Sequence, residues 1–232
     1  MDISIVMPAY QEADNLRKLL PQLNMVFEGT NVAYELLVID TISPLDDTKQ
    51  VCEANGAVYI TRKGGNYYGD AIRTGINEAR GRYMIIMDAD GSHNPSDCFR
   101  MHYEMLSGEY DLIIGSRYCN GGYTDNVFIL RFMSWILNVS YRLIFKLKVK
   151  DVSNSFRMYH TEEVKQIKLE CKNFDIVEEI LIRLNSIYKP LRIKEIPISF
   201  NKRDEGKSKR SLVKFIFSYI KTIRRLYSIK NR

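Results

Sequence analysis

Apolar and polar positions along the first ninety residues follow two alternating periods, and the switches between them mark out the elements. Asp2–Met7 runs into an apolar block that stops at Pro8, as a buried strand does, and Glu12–Phe27 then places Leu16, Leu19, Leu20 and Leu23 at helical spacing. Tyr34–Asp40 is a second apolar run. After a Ser43-Pro44 turn, Asp46–Asn55 reads as a helix closed by Gly56, Ala57–Thr61 as a third strand, Gly64–Gly69 as a glycine-containing loop, Asp70–Ala79 as a helix and Tyr83–Asp88 as a fourth strand. Further on, Pro95–Met105 predicts a helix, Leu112–Gly115 a strand, Val127–Lys148 a long helix and Asp175–Tyr188 another helix. Leu191–Phe200 predicts a strand near a sheet edge, because Pro197 removes one ladder donor. Repeated strand–helix units of this length predict an α/β fold with a mostly parallel central sheet flanked by helices.

The chain is organised around Arg82–Pro95. Tyr83–Met87 carries no charge and suits a strand buried on both faces. Asp88 and Asp90 then leave its carboxyl end, where open α/β sheets put their ligands, and Gly91, Asn94 and Pro95 turn the chain towards the next helix. An Asp-x-Asp triplet alone is a common motif; its position after a buried strand gives it weight. Two carboxylates so placed suit Mg²⁺ or Mn²⁺, which complete their shells with water and substrate phosphate oxygens, so a diphosphate-bearing substrate is implied.

Composition and charge refine this picture. An apolar content of 45% over 232 residues suits one globular domain with an appendage. Cys52, Cys98, Cys119 and Cys171 are scattered without metal-ligand spacing, and the amino terminus does not read as a signal peptide, so a reducing cytoplasmic setting is the default. The formal net charge is +6, yet Lys207–Arg232 holds nine Lys or Arg and no Asp or Glu, which leaves 25 basic against 28 acidic residues in 1–206. A mildly acidic body therefore carries a basic tail that points to an anionic surface, membrane or nucleic acid. The division follows as 1–206 for the domain and 207–232 for the tail.

Arg210–Ile229 in that tail is amphipathic: Leu212, Ile216, Tyr219, Ile223 and Leu226 share one face, while Arg210, Lys214, Lys221 and Arg225 share the other. Such a helix either packs on its own domain or lies in a membrane interface. No stretch reads as a transmembrane helix, since Val127–Val149 is interrupted by Arg131, Asn138, Arg142 and Lys146. Arg131, Asn138 and Arg142 fall within about 20° of one line along the long helix. That polar stripe is either a solvent-facing edge or, bordered by Phe132, Trp135 and Ile136, a seat for an anionic headgroup with an apolar tail.

Several segments together resemble one family. They are Ile5-Val6-Met7-Pro8-Ala9-Tyr10-Gln11-Glu12, Val38-Ile39-Asp40 with Ser43-Pro44, Gly69-Asp70-Ala71-Ile72, Met87-Asp88-Ala89-Asp90, Gly115-Ser116-Arg117-Tyr118, Asp151 to Arg157, and Glu195-Ile196-Pro197-Ile198 through Arg203, Gly206, Ser208 and Lys209. In this order and over nearly the whole chain, they resemble the family 2 glycosyltransferases of the GT-A fold, most closely the polyprenyl-phosphate branch of dolichyl-phosphate mannose synthases and related bacterial enzymes. The resemblance implies that Pro8, Tyr10, Glu12 and Asp40, with Asp88, Ala89 and Asp90, bind a GDP- or UDP-hexose, and that Asp88 and Asp90 hold Mg²⁺ or Mn²⁺ on its diphosphate. It implies that Arg117 and Arg203 act in catalysis and that Arg117, Arg131, Ser134, Arg203 and Lys209 bind an acceptor phosphate, work suited to guanidinium forks and an ammonium.

A polyprenyl phosphate acceptor is already an anion and needs no strong base; transfer would invert the anomeric centre at the cytoplasmic face of a membrane, with nucleic acid not expected as a partner. A sugar-hydroxyl acceptor, extending a cell-surface glycan, needs a base, for which the family pattern offers Glu178 or Glu179 unless these are an ordinary solvated pair. A third reading is an inactive binding module on a decayed transferase fold. The chain departs from the branch at four places: Thr41 stands where a second Asp follows Asp40, Ser92 where Gln follows the acidic triplet, and Asn154 where Gly precedes Ser155-Phe156-Arg157, while Arg131 and Ser134 are three rather than four apart. Asn tolerates the left-handed backbone that a glycine there allows better than most residues do.

Overall fold

The computed structural model describes residues 1–125, 128–188, 190–200 and 221–228, and for 128–130 the backbone course only. In chain order the elements are β1 (Ile3–Pro8), α1 (Ala13–Phe27), β2 (Tyr34–Asp40), α2 (Thr48–Ala54), β3 (Val58–Thr61), α3 (Tyr68–Glu78), β4 (Tyr83–Ile86) and α4 (Ser96–Leu106). There follow β5 (Leu112–Ser116), β6 (Tyr123–Thr124), α5 (Phe128–Phe145), β7 (Arg157–His160), α6 (Thr161–Lys165), α7 (Ile176–Ile187), β8 (Ile193–Pro197) and β9 (Ser199–Phe200). A helical segment at 221–228 closes the described chain. The main sheet runs β3-β2-β1-β4-β7-β5-β8, and β6 pairs with β9 in a second, two-stranded sheet.

All neighbours in the main sheet are parallel except β7, which runs antiparallel to both β4 and β5. No strand was predicted at β7. Its four residues begin with Arg157, a charge that disguises a strand whose first three residues are buried. The run Leu191–Phe200 divides: β8 forms the edge of the main sheet beside β5, as Pro197 implies, and β9 leaves it for β6.

The central strands split their side chains between two cores, which explains their unbroken apolar runs. From β1, Val6 enters one core while Ile3, Ile5 and Met7 enter the other; from β4, Met84 and Ile86 part company in the same way from Tyr83 and Ile85. The first core is covered by α3, α6, α7 and the end of α5, the second by α1, α2 and α4. Gly75 lets α3 lie directly on β1, since a Cβ there would fall 2.2 Å from Val6 Cγ1. Strand order reverses direction about β1, with β2 on one side and β4 on the other, which creates the crevice where such sheets bind ligands.

Two sequence expectations change. On α5, Asn138 does not share a solvent-facing stripe with Arg131 and Arg142: it is buried and its Oδ1 accepts the Val152 N–H at 2.9 Å. The face of α5 turned outward is apolar, with Phe132, Trp135, Ile136 and Leu143 exposed beside Arg131 and Arg142. At 221–228 the tail packs on the domain, Leu226 being fully buried in the first core with Ile223 against it, while Lys221, Arg224 and Tyr227 face outward. Arg225, placed by helical spacing on the polar face, turns towards the domain instead. The expected boundary at 206/207 and the polar face residues Arg210 and Lys214 lie outside the described residues.

Candidate active site

The ends of β1, β3 and β4 and the start of α3 enclose a cavity of about 400 Å³, lined by Pro8, Tyr10, Glu12, Arg62, Asp88 and Asp90 among others. Asp88 and Asp90, expected at this strand end, share the cavity with Pro8, Tyr10, Glu12 and Ala89, which the family resemblance implies. Asp40 is not at this surface: it is fully buried, with its carboxylate taking hydrogen bonds from Tyr59 Oη at 3.2 Å and Thr41 Oγ1 at 3.5 Å. Burial and the adjacent Asp40 charge push the Tyr59 phenol up to about 12, so it stays a donor.

The acidic loop is held from beneath. The Asp88 N–H donates to His93 Nδ1 at 3.4 Å, and His93 Nε2 lies 3.4 Å from Asn154 Oδ1, which leaves Nε2 as the protonated nitrogen. Burial lowers the His93 pKa, keeping the ring neutral, and the ring stacks on Phe156 at 4.6 Å. Asn154 donates in turn to the Gly115 carbonyl at 2.6 Å. Asn154 is not among the residues of positive φ, so its side chain, rather than a left-handed backbone, is what this position uses. Ser92 turns back on Asp90, its N–H and Oγ donating to Oδ1 at 3.1 and 2.5 Å, so the residue at the family's Gln position braces a carboxylate.

Three features of the pocket escaped the sequence. Arg62, at the end of β3, is 6% exposed; its guanidinium donates to the carbonyls of Ala9, Asn66 and Tyr67, and its Nε has no partner among the described residues. Burial lowers its pKa while Asp40 and Asp70 support its charge, so the pocket holds a fixed cation. Tyr68 stacks on Phe174 at 4.2 Å and its hydroxyl donates to Asp88 Oδ1 across 3.5 Å. Asn173 and Phe174 reach the pocket from a turn before α7, docked where the Gly69 N–H donates to the Lys172 carbonyl at 2.7 Å. A Cβ on Gly69 would lie 2.4 Å from the Cys171 carbonyl oxygen, so only glycine permits that approach.

Arg117, Arg131, Ser134, Glu178 and Glu179 are not among the described residues that line this cavity. Arg117 is clamped by Asp151: its backbone N–H donates at 3.0 Å and its Nε and Nη2 at 2.8 Å each, with Ser153 Oγ a further acceptor at 2.9 Å. Burial works against the charge, but Asp151 more than offsets it and raises the Arg117 pKa. Ser153 Oγ also lies 3.4 Å from Ser134 Oγ, so Arg117 and Ser134 are brought to one place, with Arg131 exposed on the same helix. Glu179 is fully buried and takes the N–H groups of Glu170 and Cys171 and the Arg183 Nε, a structural task. Burial pushes the Glu178 carboxyl up to about 8, and its Oε2 has no partner among the described residues. Arg203 and Lys209 lie outside the described residues.

Asp88 and Asp90 offer hard oxygen donors only, and no group of three or more His, Cys, Asp or Glu that could hold a metal occurs among the described residues. That set fits Mg²⁺ or Mn²⁺ carried in with a diphosphate and water, and does not fit a closed all-protein cage.

Comparison with known proteins agrees with this architecture. Residues 4–167 match Glycosyl transferase family 2. The dolichol-phosphate mannosyltransferase of Pyrococcus furiosus is 31% identical over 97% of this chain and 64% of its own length. The undecaprenyl-phosphate mannosyltransferase of Micrococcus luteus is 31% identical over 91% of this chain and 88% of its own, and the dodecaprenyl-phosphate galacturonate synthase of Rhizobium johnstonii is 26% identical over 90% and 62%. The chain thus spans a little under two thirds of two of these relatives. Glucosyl-3-phosphoglycerate synthase from Mycobacterium tuberculosis, solved with Mn²⁺, uridine diphosphate and glucosyl-3-phosphoglycerate, superposes with a TM-score of 0.74 at 17% identity over 98% of this chain and 79% of that one, a likeness of fold. The carboxylate pair at the end of β4, the mostly parallel sheet and the match over residues 4–167 place this chain in glycosyl transferase family 2.

Proposed function

We propose that the protein is a metal-dependent inverting glycosyltransferase that moves a hexose from a GDP- or UDP-sugar to a polyprenyl phosphate. The observation that carries the reading is the placement of Asp88 and Asp90 with the buried Arg62 in one pocket at the sheet's switch point. The named activities of the dolichol-phosphate and undecaprenyl-phosphate mannosyltransferases support the acceptor, and the Mn²⁺ and Mg²⁺ complexes of glucosyl-3-phosphoglycerate synthase support the metal.

Asp88 and Asp90 would hold the Mg²⁺ or Mn²⁺, which supplies neutralising charge for a departing nucleoside diphosphate. Arg62 adds a cation fixed by backbone carbonyls, so no reorganisation is needed as charge develops on the leaving group. Tyr68 and His93 keep Asp88 in place from two sides. An acceptor phosphate oxygen attacks the anomeric carbon opposite the breaking C–O bond, and the nucleoside diphosphate leaves with that bond's electrons. The phosphate is already ionised, so the step needs orientation more than a base.

The apolar outward face of α5 supports acceptance of a lipid. Phe132, Trp135 and Leu143 are 47%, 57% and 74% exposed, Arg131, Arg142 and Lys146 flank them, and Ser134 on the same helix reaches towards Ser153 and Arg117. A helix of this kind lies in a bilayer interface rather than across it, and no helix among the described residues is long and apolar enough to span one. The reading places the protein peripherally on the cytoplasmic face, with basic residues of the tail assisting α5. Incubation with labelled nucleotide sugars, Mn²⁺ and polyprenyl phosphate should send label into a charged, mild-acid-labile lipid; label entering only oligosaccharide would overturn the acceptor.

A further inference from the structure

The turn 170–175, which carries Asn173 and Phe174 to the pocket, has no strand or helix of its own to satisfy its backbone. Its polar groups are met by partners from separate parts of the chain. Glu179 takes the N–H groups of Glu170 and Cys171, Arg73 donates to the Cys171 carbonyl at 2.6 Å, and the Gly69 N–H donates to the Lys172 carbonyl. The last partner comes from far along the chain: Arg225, in the helical segment 221–228, donates through Nη2 to the Glu170 carbonyl, and its Nη1 lies 3.9 Å from Asp175 Oδ2. One guanidinium therefore spans both ends of the turn. Leu226, the next residue, is fully buried in the core beneath, so the helix is seated and not merely adjacent.

What the turn carries reaches the acidic pair in two contacts. Phe174, 47% exposed, stacks on Tyr68 with ring planes at 24°, and the Tyr68 hydroxyl meets Asp88 at 3.5 Å. We propose that the C-terminal helix is a positioning element of the donor pocket: Arg225, anchored by Leu226, clamps the 170–175 turn and thereby sets Phe174 and Tyr68 against the site of the nucleotide sugar. The assignment rests on reading the pocket as the donor site. It gives the basic tail a second task besides its charge, and that task belongs to one arginine. Arg224, its neighbour, is exposed and carries the same charge away from the turn.

The test is calorimetric titration of the full chain with UDP and with GDP in the presence of Mn²⁺, together with amide hydrogen exchange across 170–175. Arg225→Ala should weaken binding of whichever nucleotide the wild type prefers by about tenfold, the scale of one lost charge-assisted hydrogen bond, and speed exchange in the turn. Arg225→Lys, which keeps the charge but not the fork, should fall between the two, and Arg224→Ala should match the wild type in both readouts. Wild-type affinity in Arg225→Ala, or an equal loss in Arg224→Ala, would overturn the assignment. Should Arg225→Ala fail to fold, Arg225→Gln keeps length and a donor and carries the same comparison. A wild type that binds neither nucleotide would defeat the donor reading of the pocket, and the exchange rates would still decide whether Arg225 holds the turn.

Discussion

Replacing Asp151 by alanine would leave the Arg117 guanidinium buried without its carboxylate. The side chains are 10% and 0% exposed, and the substitution removes the acceptor for the backbone N–H, Nε and Nη2 of Arg117, leaving Ser153 Oγ and the Tyr118 and Phe200 rings as company for the charge. Breaking a buried pair from one side costs about 3–5 kcal/mol, because the remaining charge is uncompensated. For a domain of this size that lowers Tm by about 10 °C. The double variant Asp151→Ala/Arg117→Met removes both charges and should lose less than Asp151→Ala alone. Urea unfolding followed by far-ultraviolet circular dichroism measures Asp151→Ala, Arg117→Met and the double variant. A surface arginine waiting for an acceptor phosphate would be worth under about 1 kcal/mol. A loss that small in Asp151→Ala, or a double variant that simply sums the two single losses, would refute the argument.

Three further outcomes follow from the same geometry. Glu178 has a folded pKa near 8 against an ordinary 4.5, so the native state holds a proton that the unfolded chain releases between those values. Its contribution is fully present below about pH 4.5 and lost as pH rises through about 8, a decline on the order of a few kcal/mol, and Glu178→Gln should flatten the profile in urea melts taken from pH 5 to 8. Gly75→Ala should cost about 1–3 kcal/mol in thermal unfolding, since its Cβ would meet the Val6 side chain across the α3–β1 contact; an unchanged Tm would show that α3 can move aside. Phe132→Glu with Trp135→Glu should abolish co-sedimentation with anionic vesicles while leaving nucleotide binding intact, and persistent sedimentation would remove α5 from the membrane contact.

Much of the fold was legible because fully buried strands write themselves as apolar runs. Tyr34–Asp40 and Tyr83–Met87 were placed by that signal together with the turns that bound them, the aspartates of the triplet followed as strand-end residues, and Tyr10 came from the family resemblance. β7 was not legible, since Arg157 hides a central strand behind a charge whose partners are the carbonyls of Val177 and Val152, distant in sequence or placed by a loop. A related reason hid Tyr68, Asn173 and Phe174: Tyr68 opens α3 inside what reads as a glycine-containing loop, Asn173 and Phe174 lie in a turn that carries no period, and contacts distant in sequence, the Gly69 N–H to the Lys172 carbonyl among them, bring them to Asp88. Arg62 left a weak trace, one residue past a predicted strand end, but nothing in its surroundings distinguished it from a surface cation. Asn138 and Arg225 were misplaced for a related reason, because polar residues at helical spacing say nothing of whether a backbone group waits opposite them.

The most direct measurement is calorimetry of the wild type and Asp90→Asn against UDP and GDP, each with and without Mn²⁺. The account predicts that one nucleotide binds the wild type in the presence of Mn²⁺, that omission of the metal weakens it by at least about tenfold, and that Asp90→Asn abolishes the metal-dependent part. Nucleotide binding that is indifferent both to Mn²⁺ and to Asp90 would contradict it.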